Sequence, residues 1–102
     1  MFVAMNRFKV ALRSEETFEA VWKNRQSLLA DVPGFKTFHL LKGGEAEDHV
    51  LYASHSVWAS RDAFEAWTKS EAFRLAHKDA GASKTQYLEP PELELFEAVE
   101  GA

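Results

Sequence analysis

The sequence contains no cysteine. Without a thiol the chain cannot form a disulfide, a thiolate nucleophile, an iron–sulfur cluster or a cysteine-based zinc site. Long apolar runs are also missing, because no stretch approaches the roughly 20 residues of a membrane-spanning helix. The first residues lack both the basic segment and the apolar run of a signal peptide. These absences predict a cytoplasmic protein with no membrane partner.

Positive charge is scarce as well. Lys and Arg number 12 against 16 Asp and Glu, which gives a formal net charge of −4. No basic cluster offsets this balance, so nucleic acid is not an expected partner. The 102 residues are 46% hydrophobic and 27% charged. Such a composition predicts a single globular domain over residues 1–102.

A predicted strand opens the chain, because apolar residues alternate over residues 2–12. One row of this strand contains Phe2, Ala4, Asn6, Phe8, Val10 and Leu12. Asn6 is a polar amide in that apolar row. It either bonds to a neighbouring backbone group or directs its N–H donors at a ligand.

The first predicted helix begins after Ser14, with acidic residues in its first turn. Apolar residues recur at helical spacing from Phe18 to Leu29, and Arg25 interrupts them. Arg25 either extends its charged group to the surface or binds an anionic group of a ligand.

Three further strands are predicted, at residues 35–42, 49–58 and 87–99. A turn at 43–48 joins the first two, and a loop is predicted over 79–86. The resulting order, βαββαβ, is typical of a ferredoxin-like α+β sandwich with both helices on one sheet face. Several strands are apolar on both faces, as in Phe35 and Leu41 against Phe38 and Leu40. The uncovered face therefore predicts a homodimer.

The second predicted helix is the most informative stretch of the chain. It begins at Ser60, a good N-cap, and carries Phe64 and Trp67 on one face. The apolar stripe then changes phase, which predicts a break near Thr68–Ser70. His77 lies on the stripe beyond the break. Its imidazole is either a hydrogen-bonded core group or a haem-iron ligand beside the indole of Trp67.

Several of these residues together resemble a known family. They are the opening Met-Phe-Val-Ala-Met-Asn-Arg, Asn24-Arg25-Gln26, the Pro-Gly-Phe at 33–35, and Trp67 followed ten positions later by His77. The pattern is similar to the IsdG-type haem-degrading monooxygenases of the antibiotic-biosynthesis-monooxygenase superfamily, which are dimeric α+β barrels. The similarity covers roughly residues 1–80.

The resemblance implies a role for each site residue. His77 would be the axial ligand of the haem iron, Asn6 a hydrogen-bond donor on the opposite side, and Trp67 a wall that distorts the porphyrin. Arg25 would bind the haem propionates. Haem would be both cofactor and substrate, with O₂ as the second substrate and iron and a bilin-type molecule as products.

The sequence has no flavin or nicotinamide motif, so electrons are expected from a separate reductase or a small reductant. Two alternatives remain open within the same fold. One is a cofactor-free monooxygenase of an aromatic or quinol substrate. The other is a haem-binding barrel without catalytic activity.

Overall fold

The computed structural model describes residues 1–25, 29–70, 73, 88 and 91–102, without the side chains of residues 24 and 25. Its elements are β1 (Phe2–Ala11), α1 (Glu15–Arg25), β2 (Phe35–Glu45), β3 (His49–Trp58), α2 (Arg61–Thr68) and β4 (Glu92–Glu97). The strands form one antiparallel sheet in the order β2-β3-β1-β4. The predicted α+β class and the ferredoxin-like βαββαβ order are therefore confirmed.

The alternating row of β1 builds the core. Phe2 lies opposite Trp58 of β3, and Phe8 lies opposite Tyr52. Both helices contact this face of the sheet, because Phe18 of α1 packs on Phe8 with ring centroids 5.2 Å apart, and α2 contributes Phe64 to the same core. The side chain of Trp58 is fully buried, with 0% exposed. Leu12, predicted to extend the row, follows the strand in a turn and is exposed.

Strand β2 corrects two sequence predictions. It extends to Glu45 through both glycines, so the turn to β3 occupies Ala46–Asp48 rather than 43–48. Irregularities in its register at Phe35/Thr37 and Lys42/Glu45 explain both errors, because an extra residue in a strand changes which side chains share a face. Phe35 consequently packs against the same core as Phe38 instead of facing the opposite side.

Helix α2 begins as predicted, with the Ser60 hydroxyl accepting a hydrogen bond from the Ala63 N–H at 3.2 Å. It ends at Thr68, which confirms the predicted break. The Ser70 hydroxyl then accepts a hydrogen bond from the Phe73 N–H at 3.2 Å, as a second N-cap would. Within the described ranges, no helix has the length and apolar character needed to cross a membrane.

The last strand is shorter than predicted, spanning Glu92–Glu97 instead of 87–99. Pro91 directly precedes it and lacks the N–H that a ladder needs. Leu88 still donates a backbone hydrogen bond to the Lys9 carbonyl at 2.9 Å. The loop predicted at 79–86 lies outside the described residues.

The other face of the sheet, called the open face below, carries no helix in the described part of the chain. It presents apolar residues from all four strands, since the register places Val3 beside Val57 and beside Phe96. Phe96 is 47% exposed and Leu41 of β2 is 44% exposed. An antiparallel sheet with helices on one face normally shows polar residues on the other, so these apolar side chains are unusual.

Gly34 provides a prediction about stability. Its φ of 81° is left-handed, and a Cβ at this position would overlap the Cβ of Ala63 on α2. The left-handed conformation alone costs a non-glycine residue about 1–2 kcal/mol. We therefore expect Gly34→Ala to lower the free energy of unfolding by about 2 kcal/mol. Urea denaturation measures the change.

Gly44→Ala is the matched control. A Cβ at Gly44 meets no atom within 4 Å, and its φ lies outside the left-handed region. The control should change stability by no more than about 0.5 kcal/mol. Equal effects of the two substitutions would contradict this account of Gly34.

Candidate active site

A cavity of about 180 Å³ lies between the helix-covered face of the sheet and α2. Its walls are mostly aromatic. They include Trp22 of α1, Phe38 of β2, Trp58 of β3, Phe64 and Trp67 of α2, and Phe73. All three tryptophans of the chain contribute. A concave apolar site with a few polar groups is the usual form of a small-molecule pocket.

The aromatic walls are held by contacts among the rings themselves. The Trp67 ring lies 5.2 Å from the Trp58 ring and 4.8 Å from the Phe73 ring, measured between centroids. Across the cavity, Trp22 stacks on Phe38 at 5.7 Å with an interplanar angle of 14°. Such pairs contribute beyond their buried area and fix the ring planes. The cavity therefore has preformed aromatic walls suited to an aromatic ligand.

Two of the polar groups at the cavity are committed to the protein. The Ser56 hydroxyl donates to the Ala4 carbonyl at 3.2 Å and accepts from Trp58 Nε1 at 3.0 Å. The Thr68 hydroxyl donates to the Glu65 carbonyl at 2.7 Å. These bonds hold the Trp58 indole and the end of α2 in place, so neither hydroxyl is needed by a ligand.

Asn6 is different. It lies on β1 between Ser54 of β3 and Leu93 of β4, and it lines the cavity together with both neighbours. Its side chain is half-buried and makes no hydrogen bond within the described residues. A carboxamide in apolar surroundings needs partners for its two N–H donors and its acceptor oxygen. The amide is thus available to a molecule in the cavity.

The structure brings together two of the four site residues predicted from the sequence. Asn6 and Trp67 line the same cavity, one on the sheet and one on α2. His77 lies outside the described residues. The backbone of Arg25 forms the last residue of α1, and its side chain is outside the description. The catalytic and haem-binding roles of these four residues stay predictions.

Sequence reasoning missed Ser54, Trp22 and Trp58 as residues of the site. A signal for Ser54 was present in the alternation of β3, where Val50, Tyr52, Ser54, Ser56 and Trp58 share one face. Two serines interrupt that row where it passes Asn6. Reading the two strands as neighbours would have placed a polar pair inside the core.

A buried tyrosine lies beyond Phe8 on the same sheet face and does not line the cavity. The Tyr52 hydroxyl donates to the Glu19 carboxylate of α1 at 2.5 Å. Burial and the neighbouring Glu19 charge raise the pKa of Tyr52 above its ordinary value, so the hydroxyl remains a donor. This bond ties α1 to β3 and supports the wall that carries Trp22. No group of three or more metal-ligating side chains occurs among the residues described.

The sequence matches a known family. Residues 1–79 match the family of antibiotic biosynthesis monooxygenases. The chain belongs to this family. Membership supports an oxidoreductase of the monooxygenase type. It leaves the substrate open, because one fold can host different chemistries.

Two similar solved structures are described differently with respect to cofactors. SnoaB, a cofactor-independent oxygenase from Streptomyces nogalater, is 27% identical, with 97% of this chain and 93% of SnoaB covered and a TM-score of 0.71. An MhuD variant with two manganese protoporphyrin IX molecules per active site is 24% identical, with 100% and 98% covered and a TM-score of 0.74. The second likeness shows the fold alone. Structures similar to this chain therefore include one described as cofactor-independent and one with a bound metalloporphyrin.

Proposed function

We propose that this monooxygenase degrades haem, opening the porphyrin ring and releasing iron and a bilin-type product. The observation that carries the proposal is the meeting of Asn6 and Trp67 in one aromatic cavity. These residues come from distant parts of the chain, and together with His77 they form the trio that resembles the IsdG-type enzymes. O₂ is the second substrate, and a separate reductase or a small reductant supplies the electrons.

The residues present fit a flat tetrapyrrole. The cavity is walled by aromatic rings and has an uncommitted amide at one side. Its volume of about 180 Å³ is smaller than the roughly 300–1,000 Å³ of pockets for drug-sized ligands. The described residues alone would therefore cover only part of a macrocycle. When bound, haem supplies an iron that activates O₂.

Each residue of the trio has a distinct task in this proposal. The neutral imidazole of His77 would hold the iron from one side. The Asn6 amide would donate a hydrogen bond to a group held in the cavity and would stabilise negative charge on it. Trp67 would press against the bound ring and favour a non-planar macrocycle, which would be a positioning effect.

Haem titration tests the proposal. We expect haem to produce a Soret band with the purified protein, and we expect this band to disappear when ascorbate is added in air. Mass spectrometry should then detect an opened tetrapyrrole and a ferrous chelator should capture the iron. Stable binding without spectral loss would indicate a haem-binding barrel instead. Absence of binding would contradict the proposal.

A second candidate is cofactor-free oxygenation of an aromatic or quinol substrate. The sequence identity to SnoaB favours this candidate, because that identity exceeds the identity to the MhuD variant. The cavity volume is also compatible, because an apolar cavity of about 150 Å³ is enough to bind benzene. Oxygen uptake with a quinol in metal-free buffer would support this candidate, provided that haem fails to bind.

The proposal gives Arg25 a measurable effect. The backbone of α1 places it three positions after Trp22, a wall residue of the cavity. A contact between its guanidinium and a haem propionate would contribute about 1 kcal/mol if solvent-exposed. Arg25→Ala should therefore weaken haem binding about fivefold at low salt. An unchanged dissociation constant in a Soret titration would remove Arg25 from the site.

We also propose that the protein is a homodimer formed through the open face. Exposed Phe96 and Leu41 lie on this face with Val3 and Val57. Covering them with a second copy would remove apolar surface from water, the main driving force for association. Light scattering at micromolar concentration should give about twice the chain mass of 11.5 kDa. A mass near 11.5 kDa would contradict the dimer.

A further inference from the structure

Ser54 is a polar residue of the cavity that is used neither by a hydrogen bond within the described residues nor by the proposed function. Its side chain is only 6% exposed, and it is the one buried polar residue found in the described ranges. It lies on β3 with its side chain on the helix-covered face, where it lines the cavity. A hydroxyl on the wall of a cavity can bond either to the protein or to a molecule in the cavity, so its partners decide its role.

The protein does not supply that partner within the described residues. Ser56, two positions along the same strand, has both a donor and an acceptor bond, whereas Ser54 has none. Ser54 lies directly opposite Asn6 in the register of β1 and β3. Residues in such a cross-strand pair have Cβ atoms about 4.5–5.5 Å apart. Two uncommitted polar side chains thus lie together in an apolar wall.

We propose that Ser54 is a specificity-determining residue that, paired with Asn6, hydrogen-bonds one polar substituent of an aromatic ligand. The amide can donate two hydrogen bonds, and the hydroxyl can donate one and accept two. Together they suit a phenolic hydroxyl or a ring carbonyl oxygen at the edge of a flat molecule. A ligand that lacks this substituent leaves both groups unpaired, which is a strong basis for discrimination. The assignment rests on the cavity and does not require haem.

Calorimetric titration with p-cresol and toluene tests the inference. These probes share one aromatic ring and differ by a hydroxyl. We expect Ser54→Ala to weaken p-cresol binding about fivefold and to leave toluene binding unchanged within about twofold. Threonine and valine at position 54 provide a matched pair of substitutions, because the two side chains have a similar shape and only threonine has a hydroxyl. Ser54→Thr should retain the preference for p-cresol, and Ser54→Val should lose it.

The controls separate this inference from the proposed function. Thr17→Ala removes a hydroxyl from the exposed side of α1 and should leave both affinities unchanged. Wild-type protein that binds p-cresol through Ser54 but does not bind haem would contradict haem degradation and support this inference. If the ratio of p-cresol affinity to toluene affinity is the same in the wild type and in Ser54→Ala, the proposed role of Ser54 is overturned. Failure of the wild type to bind p-cresol would overturn it as well.

Discussion

Replacing His77 with alanine is expected to abolish axial ligation of the haem iron and to reduce haem degradation on the order of a hundredfold or more. Within the described part of the chain, no other histidine lies where it could replace His77 as the iron ligand. His39, His49 and His55 all belong to the row of side chains on the open face, away from the cavity. Absorption spectroscopy of the haem complex should show loss of the wild-type Soret maximum.

His49→Ala is the matched control. The His49 ring lies 2.7 Å from the Asp48 carboxylate at the start of β3, far along the strand from Asn6 and Ser54. Its removal should leave the haem spectrum and the turnover rate unchanged. A wild-type spectrum with full turnover in His77→Ala would show that His77 is not the ligand. Imidazole added to His77→Ala should partly restore the spectrum if the ligand site is otherwise intact.

Replacing Asn6 with alanine should separate binding from chemistry. The amide lines the cavity, but a carboxamide would contribute little to holding an iron that the His77 imidazole is predicted to ligate. We expect haem affinity to fall by no more than about tenfold, or ~1.4 kcal/mol. Degradation should slow about a hundredfold, since a donor aimed at developing charge acts mainly in the transition state. Single-turnover decay of the Soret band measures the rate independently of affinity.

Trp67→Ala extends the same test to the porphyrin shape. It should retain haem and degrade it more slowly, with resonance Raman spectra indicating a flatter ring. Trp67 also packs against Trp58 and Phe64, so the thermal stability of the Trp67→Ala variant must be measured together with its turnover. Wild-type turnover in both Asn6→Ala and Trp67→Ala would make these residues packing groups and would contradict haem degradation.

The sequence predicted those parts of the fold where local chemistry and tertiary structure agree. The alternation of β1 and the Ser60 cap are local signals, and the structure confirms both. The break after Thr68 was visible because the phase of the stripe changed, and the Ser70–Phe73 bond lies at that change. Asn6 was found because an amide is conspicuous in an apolar row.

The errors arise where the outcome depends on neighbouring strands. The irregularity after Phe35 changes the face of a side chain without any local signal in the residue types. Ser54 is one of two serines that interrupt the apolar row of β3, and its significance becomes clear only when the register places it beside Asn6. Pairing between strands that are about 50 positions apart is a tertiary property, which periodicity within one strand does not contain.

The placement of the indoles has a practical consequence for optical work. Trp22, Trp58 and Trp67 are the whole tryptophan content of the chain, and each lines the cavity. Every tryptophan that fluoresces therefore lies at the site, and no distant tryptophan adds constant emission. A bound chromophore that absorbs in the near ultraviolet or violet should quench almost all of the signal by energy transfer. Occupancy can thus be followed in the unmodified protein at low concentration, without a label near Asn6 or Ser54.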